Sequence, residues 1–404
     1  MDRRGAADQR VRVGLERFLD GEDDAARRFR GARVGLITNP TGVDAQLRSG
    51  IDRLAASRDY QLRALFGPEH GVRGAAQAGE EVGTEIDPRT GVPAYSLYGP
   101  MRKPTAEMVR DLDVLIFDIQ DAGCRYYTYL YTLSYALEAA AELGIPLVVL
   151  DRPNPITGRV TEGNILDMAY ASFVGGRPIP MRTGLTIGEL ALLFNRQQPQ
   201  AADLMVVRME GWRRSLWYDQ TGLPFVPPSP NCPTVDSLTL YPGTCLFEGT
   251  VFSEGRGTTR PFEIIGGPGI DPYRWAEELQ RLRLPGVAFR PLWFTPTFSK
   301  HQGTLCGGVQ VHLVERDQVR AVDVGVHLLA SARRLFPEQF AWRRPANETG
   351  KWFIDLLAGG RQLRDRLEES GGDLGAVQEL LCQWHEESER FAQEQAAVVR
   401  LYQE

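Results

Sequence analysis

No Cys-x-x-Cys pair occurs in the 404 residues, and the five cysteines (Cys124, Cys232, Cys245, Cys306, Cys382) are scattered and odd in number. That pattern indicates neither a thiolate zinc site nor a disulfide framework, and a reducing compartment suits it. Histidine is as scarce: His70, His301, His312, His327 and His385 are dispersed and none forms H-E-x-x-H, so no catalytic metal is expected. There is no G-x-G-x-x-G at a strand–helix junction, no P-loop and no G-x-S-x-G elbow. These absences argue against a bound dinucleotide or nucleoside triphosphate and against a serine nucleophile, and no cofactor is expected. Positive charge is also short. A net charge of −6 and a pI near 5.6 disfavour a nucleic-acid or anionic-membrane partner, which would call for a basic face. No apolar run is long enough to span a bilayer. The opening MDRRGAADQRVRVGLERFLD lacks the apolar core of a signal peptide, so as written the chain reads as cytoplasmic.

What is present is an ordinary globular composition, 43% hydrophobic and 24% charged, over a length that fits about two or three domains. Apolar runs at 33–38, 62–66, 114–119, 145–150 and 204–208 read as strands. Between them lie helix-like segments at about 46–57, 126–143 and 186–195, the last opening on Thr186 and Glu189 in a capping-box spacing. Strands that are apolar on both faces and alternate with helices predict an α/β fold with a covered parallel sheet. The run Pro224–Pro233 excludes helix and central strand and is either a site wall or an interdomain loop. After about residue 240 a strand at 307–314, a helix at about 318–335 and an amphipathic helix from about 374 follow. We place one domain at 1–240 and a second at 241–404.

The chain is organised around LRALFGPEHGVRG (62–74). A short apolar strand stops at Gly67-Pro68, and Glu69 and His70 stand immediately beyond it. In open α/β sheets ligands bind just past the carboxyl ends of the strands. Asp118 and Asp121 lie at the end of the 114–119 strand and Asp151 at the end of 145–150, so three successive strand ends carry acids. Two carboxyl groups flanking a glycosidic bond suffice to hydrolyse it, and Glu69, Asp118, Asp121, Asp151, Glu162 and Glu254 are the candidates. The competing reading makes several of them caps or partners of nearby arginines, with Asp151 and Arg152 the first suspected ion pair. Tyr126 to Tyr131 hold four tyrosines; Tyr127, Tyr131 and Tyr135 at i, i+4 spacing suit a core. Tyrosines near the helix start, with Arg125 beside them, suit the crevice or a bound anion.

FGPEHGVRG (66–74), SLYG (96–99), FDIQDAGCRYYTY (117–129), VLDRPNP (149–155), EGN (162–164), TIGELA (186–191), PSPN (228–231), YPGT (241–244), EGT (248–250) and SEGRGTTRPFE (253–263) together resemble the exo-β-N-acetylmuramidase family of the NamZ type, glycoside hydrolase family 171. The resemblance runs from about residue 33 to at least 345. It implies a Rossmann-like parallel-sheet catalytic domain followed by a smaller α+β C-terminal domain, with a cleft between them. It also implies release of N-acetylmuramic acid from the non-reducing end of peptidoglycan fragments, without NAD. By position, the resemblance makes Glu69 the catalytic acid and Glu162 a partner, with Asp118 and Asp121 the other catalytic candidates. Contacts to substrate are expected from His70, Arg125, Tyr126, Asn231, Glu254, Arg256 and Arg260. An arginine among Arg125, Arg256 and Arg260 suits the lactyl carboxylate of muramic acid. Two positions depart from the family pattern: Asn164 stands in place of a proline, and Thr183 in place of a histidine.

Overall fold

A computed structural model of the chain describes residues 10–68, 71–74, 85–99, 101–345 and 350–404. Seven strands form the first sheet: β1 (Arg33–Thr38), β2 (Gln61–Gly67), β3 (Glu85–Ile86), β4 (Pro93–Ser96), β5 (Val114–Asp118), β6 (Leu147–Leu150) and β7 (Leu204–Val207). Their order is β3-β4-β2-β1-β5-β6-β7, and every pairing is parallel except β3 with β4. The pleat explains why these runs are apolar throughout. Leu36, Leu65, Ile116 and Val148 pack on one face against Phe18, Ile51 and Leu54. Their neighbours Ile37, Phe66, Leu115, Phe117 and Val149 pack on the other against Leu130, Leu133 and Phe194. Both faces are buried, as a parallel sheet requires.

The six parallel strands are doubly wound. The chain moves outward from β1 through β2 to β4, then restarts on the other side of β1 with β5, β6 and β7. The direction reverses between β1 and β5, and such a reversal opens a crevice at the carboxyl edge. The helix Tyr129–Leu143 ends on Gly144 at φ 64°, and Ile187–Gln197 starts from the expected Thr186–Glu189 capping box.

The second sheet is antiparallel: β8 (Ile264–Gly267), β9 (Val287–Phe294) and β10 (Cys306–Leu313), in the order β8-β10-β9. The helices Pro272–Arg281 and Ala321–Leu335 cover it, with Trp275, Leu279, Val309 and Leu328 inside. The helix Val235–Thr244 crosses Ala321–Leu335 at backbone contact. A Cβ on Gly243 would lie 1.8 Å from the Ala321 carbonyl oxygen, so glycine is obligatory there. The last long helix, Leu374–Phe391, buries Val377, Leu381 and Trp384. Beyond it the chain returns to the first sheet: Leu401 N donates to Glu189 Oε1 (2.8 Å) and the Tyr402 hydroxyl to Asp151 Oδ2 (2.6 Å). Among the described residues no helix is long and apolar enough to cross a membrane.

Candidate active site

Asn39-Pro40 stops β1, since proline brings no N–H to continue a ladder, and the loops leaving β1 and β5 are then tied together. Thr38 Oγ1 donates to the Asp118 carbonyl (2.8 Å), Thr41 N donates to Asn39 Oδ1 (3.0 Å), and Gln120 N donates to Thr41 Oγ1 (2.9 Å). Gln120 Nε2 donates to the carbonyls of Asp121 (2.8 Å) and Pro153 (2.7 Å), and Gly123 N to Asp121 Oδ2 (2.7 Å). Three polar atoms of this network are left over. Asn39 Nδ2, Gln120 Oε1 and Asp121 Oδ1 are buried and make no hydrogen bond among the described residues. Each of the three residues is only 3% exposed, where an unmet polar atom is uncommon. Burial also pushes the Asp121 carboxyl up to about 7.

The other acids are fully engaged. Asp118 holds Arg152 through both oxygens (2.7 and 2.9 Å), so Arg152 serves Asp118 and not its neighbour Asp151. Asp151 accepts from Thr186 Oγ1 (2.8 Å), Gly188 N (2.8 Å), Arg152 N (2.9 Å) and the Tyr402 hydroxyl. Glu162 is wholly enclosed: Oε1 takes Arg182 Nη1 (2.6 Å) and Oε2 takes Val322 N (3.0 Å), which leaves no oxygen for a substrate. Glu254 bridges Arg256 Nε (3.1 Å) and Lys300 Nζ (2.9 Å). Glu69 and His70 lie outside the described residues. Among those described, Asp121 is the one strand-end candidate acid with an oxygen to spare.

A cavity opens between the two parts of the chain, at the start of the Tyr129–Leu143 helix. Tyr126, Tyr127 and Tyr129 come from the start of the Tyr129–Leu143 helix, Ser229 and Asn231 from the proline-rich segment, and Tyr241, Arg256 and Phe262 from the second part. The segment 224–233 is therefore a wall of the cavity and holds neither helix nor strand. Its rings meet edge to face: Tyr127 with Tyr241 at 5.8 Å, and Tyr241 with Phe262 at 4.7 Å. Tyr126 donates its hydroxyl to the Pro242 carbonyl and Tyr129 to that of Pro228 (2.7 Å). These two hydroxyls fix the walls and leave the aromatic faces to the cavity. Apolar faces with a few amide and guanidinium groups suit a sugar ring, whose C–H face is apolar and whose rim is polar.

The three arginines separate clearly. Arg125 is fully buried and donates to the carbonyls of Asn164 (2.7 Å), Ile179 (2.9 Å) and Leu357 (3.1 Å); it braces the interior and does not line the cavity. Arg260 is half exposed beside Glu263 (3.4 Å), on a different cavity with Asp236 and His312. Arg256 alone lines the aromatic cavity, its guanidinium 5.1 Å from the Phe262 ring and held by Glu248 (2.8 Å) and Glu254. Thr183 is buried, its Oγ1 accepting from Leu185 N (3.2 Å), and it is absent from the cavity wall. The roles of Tyr241 and Phe262 were missed at the level of sequence. Both lie in motifs singled out there, but nothing in their spacing shows that they face the tyrosines 112 to 136 positions earlier. Among the described residues no three His, Cys, Asp or Glu side chains converge as a metal site.

Comparison with known proteins places this geometry in a family. The model for the exo-β-N-acetylmuramidase NamZ N-terminal region matches residues 34–236, and that for its C-terminal region matches 239–402. The peptidoglycan β-N-acetylmuramidase NamZ of Bacillus subtilis (strain 168) is 54% identical over 359 residues, which cover 89% of this chain and 84% of that protein. Two crystal structures of DUF1343 family proteins from Bacteroides fragilis share the fold. One is 38% identical with a TM-score of 0.88, covering 98% of this chain and all of that one. The other is 31% identical with a TM-score of 0.75, covering 98% and 99%. With both regions matched in order across nearly the whole length, the chain belongs to the NamZ exo-β-N-acetylmuramidase family.

Proposed function

We propose that this protein is an exo-acting glycoside hydrolase that releases N-acetylmuramic acid from the non-reducing end of peptidoglycan fragments. The observation that carries the reading is the aromatic cavity between the two parts of the chain, in a chain 54% identical to a peptidoglycan β-N-acetylmuramidase. A sugar ring lies against the tyrosine and Phe262 faces, Asn231 and Ser229 meet its polar rim, and Arg256 stands where a lactyl carboxylate would arrive. The general acid is Glu69. It follows β2, whose Phe66 is in register with Ile37 of β1, itself in register with Phe117 of β5. The acid protonates the leaving oxygen as the glycosidic bond lengthens, and a second carboxylate serves the opposite face of the sugar.

Parallel assays on chromogenic N-acetylmuramide, N-acetylglucosaminide and N-acetylgalactosaminide test the reading. Turnover confined to the muramide is expected. Preference for another hexosaminide would move the substrate, and turnover of none would make the protein a sugar binder of this fold.

A further inference from the structure

We propose that Lys300, which does not line the aromatic cavity, sets the preference of Arg256 for a ligand carboxylate by cancelling the charge of Glu254. The inference rests on the muramidase reading above and names a positioning residue that acts through another.

Arg256 is held on three sides. Glu248 takes Nη2 (2.8 Å), Glu254 Oε1 takes Nε (3.1 Å), and the Phe262 ring centre lies 5.1 Å from the guanidinium carbon. Nη1 makes no hydrogen bond among the described residues, and Arg256 lines the cavity, so this N–H group is the one left for a ligand. Two carboxylates around one guanidinium give that corner an excess negative charge, which repels an incoming carboxylate. Lys300 removes the excess. Its Nζ donates to Glu254 Oε2 (2.9 Å), so two carboxylates and two cations sum to zero. The other two N–H groups go to the carbonyls of Phe247 (2.9 Å) and Phe252 (2.8 Å). With all three donors spent, the ammonium is fixed and meets no ligand itself.

The chain is strained where it delivers this lysine. Ser299 and His301, on either side of it, have φ 69° and 58°, and Phe262 has φ 65°. These are three of the six non-glycine residues with positive φ among those described, and such strain gathers at ligand clamps. The connection from β9 to β10 that carries Lys300 is strapped to the loop of Arg256. Thr297 N donates to the Gly257 carbonyl (2.9 Å) and His301 Nε2 to that of Val251 (2.7 Å). A Cβ on Gly257 would lie 2.5 Å from the Phe298 carbonyl oxygen, so the two segments touch at the backbone.

Calorimetry on the whole protein with N-acetylmuramic acid, its methyl ester and N-acetylglucosamine tests the proposal. Wild type is expected to bind the acid more tightly than either neutral sugar. Lys300→Met should lose about tenfold in affinity for the acid, the order of one unit charge removed from a partly buried site, and leave both neutral sugars unmoved. Lys300→Gln, which keeps donors for the two carbonyls, makes the same charge change if the methionine variant does not fold. In the double variant Glu254→Gln with Lys300→Met the charges again sum to zero, and the preference should return. Equal losses for all three sugars, an unchanged preference in the single variants, or no recovery in the double variant would each overturn the proposal and leave the muramidase reading intact. A wild type that binds the acid no better than its methyl ester instead removes the carboxylate reading beneath it, and the proposal with it.

Discussion

Glu162 and Val322, 160 positions apart, are hydrogen-bonded at 3.0 Å, the carboxylate accepting an N–H from the first turn of the Ala321–Leu335 helix. The other oxygen holds Arg182, so one buried acid joins the two parts of the chain and caps a helix whose positive end favours it. Removing one partner of a buried pair leaves the other uncompensated, at about 3–5 kcal/mol. Glu162→Gln is expected to lower stability by that order in urea titration, while the protein that remains folded keeps much of its kcat. A stable variant that had lost turnover would return Glu162 to the chemistry.

Glu69→Gln removes the transferable proton and keeps the shape. Loss of about 10²–10⁴-fold is expected in kcat for a disaccharide, whose alkoxide leaves poorly, and a milder loss for a nitrophenyl glycoside. Equal losses on both substrates would argue for a role other than general acid.

Arg256 is predicted to set the preference for muramic acid. Its Nη2 and Nε are bound by Glu248 and Glu254, while Nη1 has no hydrogen bond among the described residues. Arg256→Lys should narrow the ratio of kcat/KM for muramide over glucosaminide by about tenfold, the loss of one charge-assisted bond. Arg260→Met should leave the ratio unchanged. A ratio unmoved by Arg256→Lys would count against the assignment.

Stability should also decline as pH rises from about 4 to about 7. Burial, with Glu189 nearby, pushes Asp151 up to about 7. The folded chain therefore keeps a proton that the unfolded chain gives up near 4. The contribution is complete below about pH 4 and is lost as pH rises through about 7. Asp151→Asn should flatten the difference in unfolding free energy between pH 5 and pH 8; an unaltered slope would sink the assignment.

The first sheet was readable because its strands are buried on both faces, so apolar runs near 33–38, 62–66 and 114–119 coincide with β1, β2 and β5. The second was half readable. β10 is a continuous run, but β9 is buried only at Phe289 and Phe294, with no period of two, and carries Pro291, and Gly308 of β10 looks like turn punctuation. That glycine is there because a Cβ would lie 2.1 Å from the Ile265 carbonyl. Acids at strand ends were visible as a set, yet their sorting was not. Arg152 passes over its neighbour Asp151 to reach Asp118, 34 positions away, and Arg182 reaches Glu162 across 20. Such partners are decided by which strand ends the topology brings together, and only the folded chain holds that information. Arg125 shows the same limit. Its place beside four tyrosines suggests an anion site, whereas three carbonyls hold its Nη1 and Nη2.

The return of Leu401 and Tyr402 to Glu189 and Asp151 has a consequence for synthesis. Tyr402 leaves the ribosome 251 residues after the acid it caps. Throughout that interval each of these two carboxylates lacks one of its donors. The edge they occupy is completed by the last residues to be made, after the whole second sheet has left the ribosome.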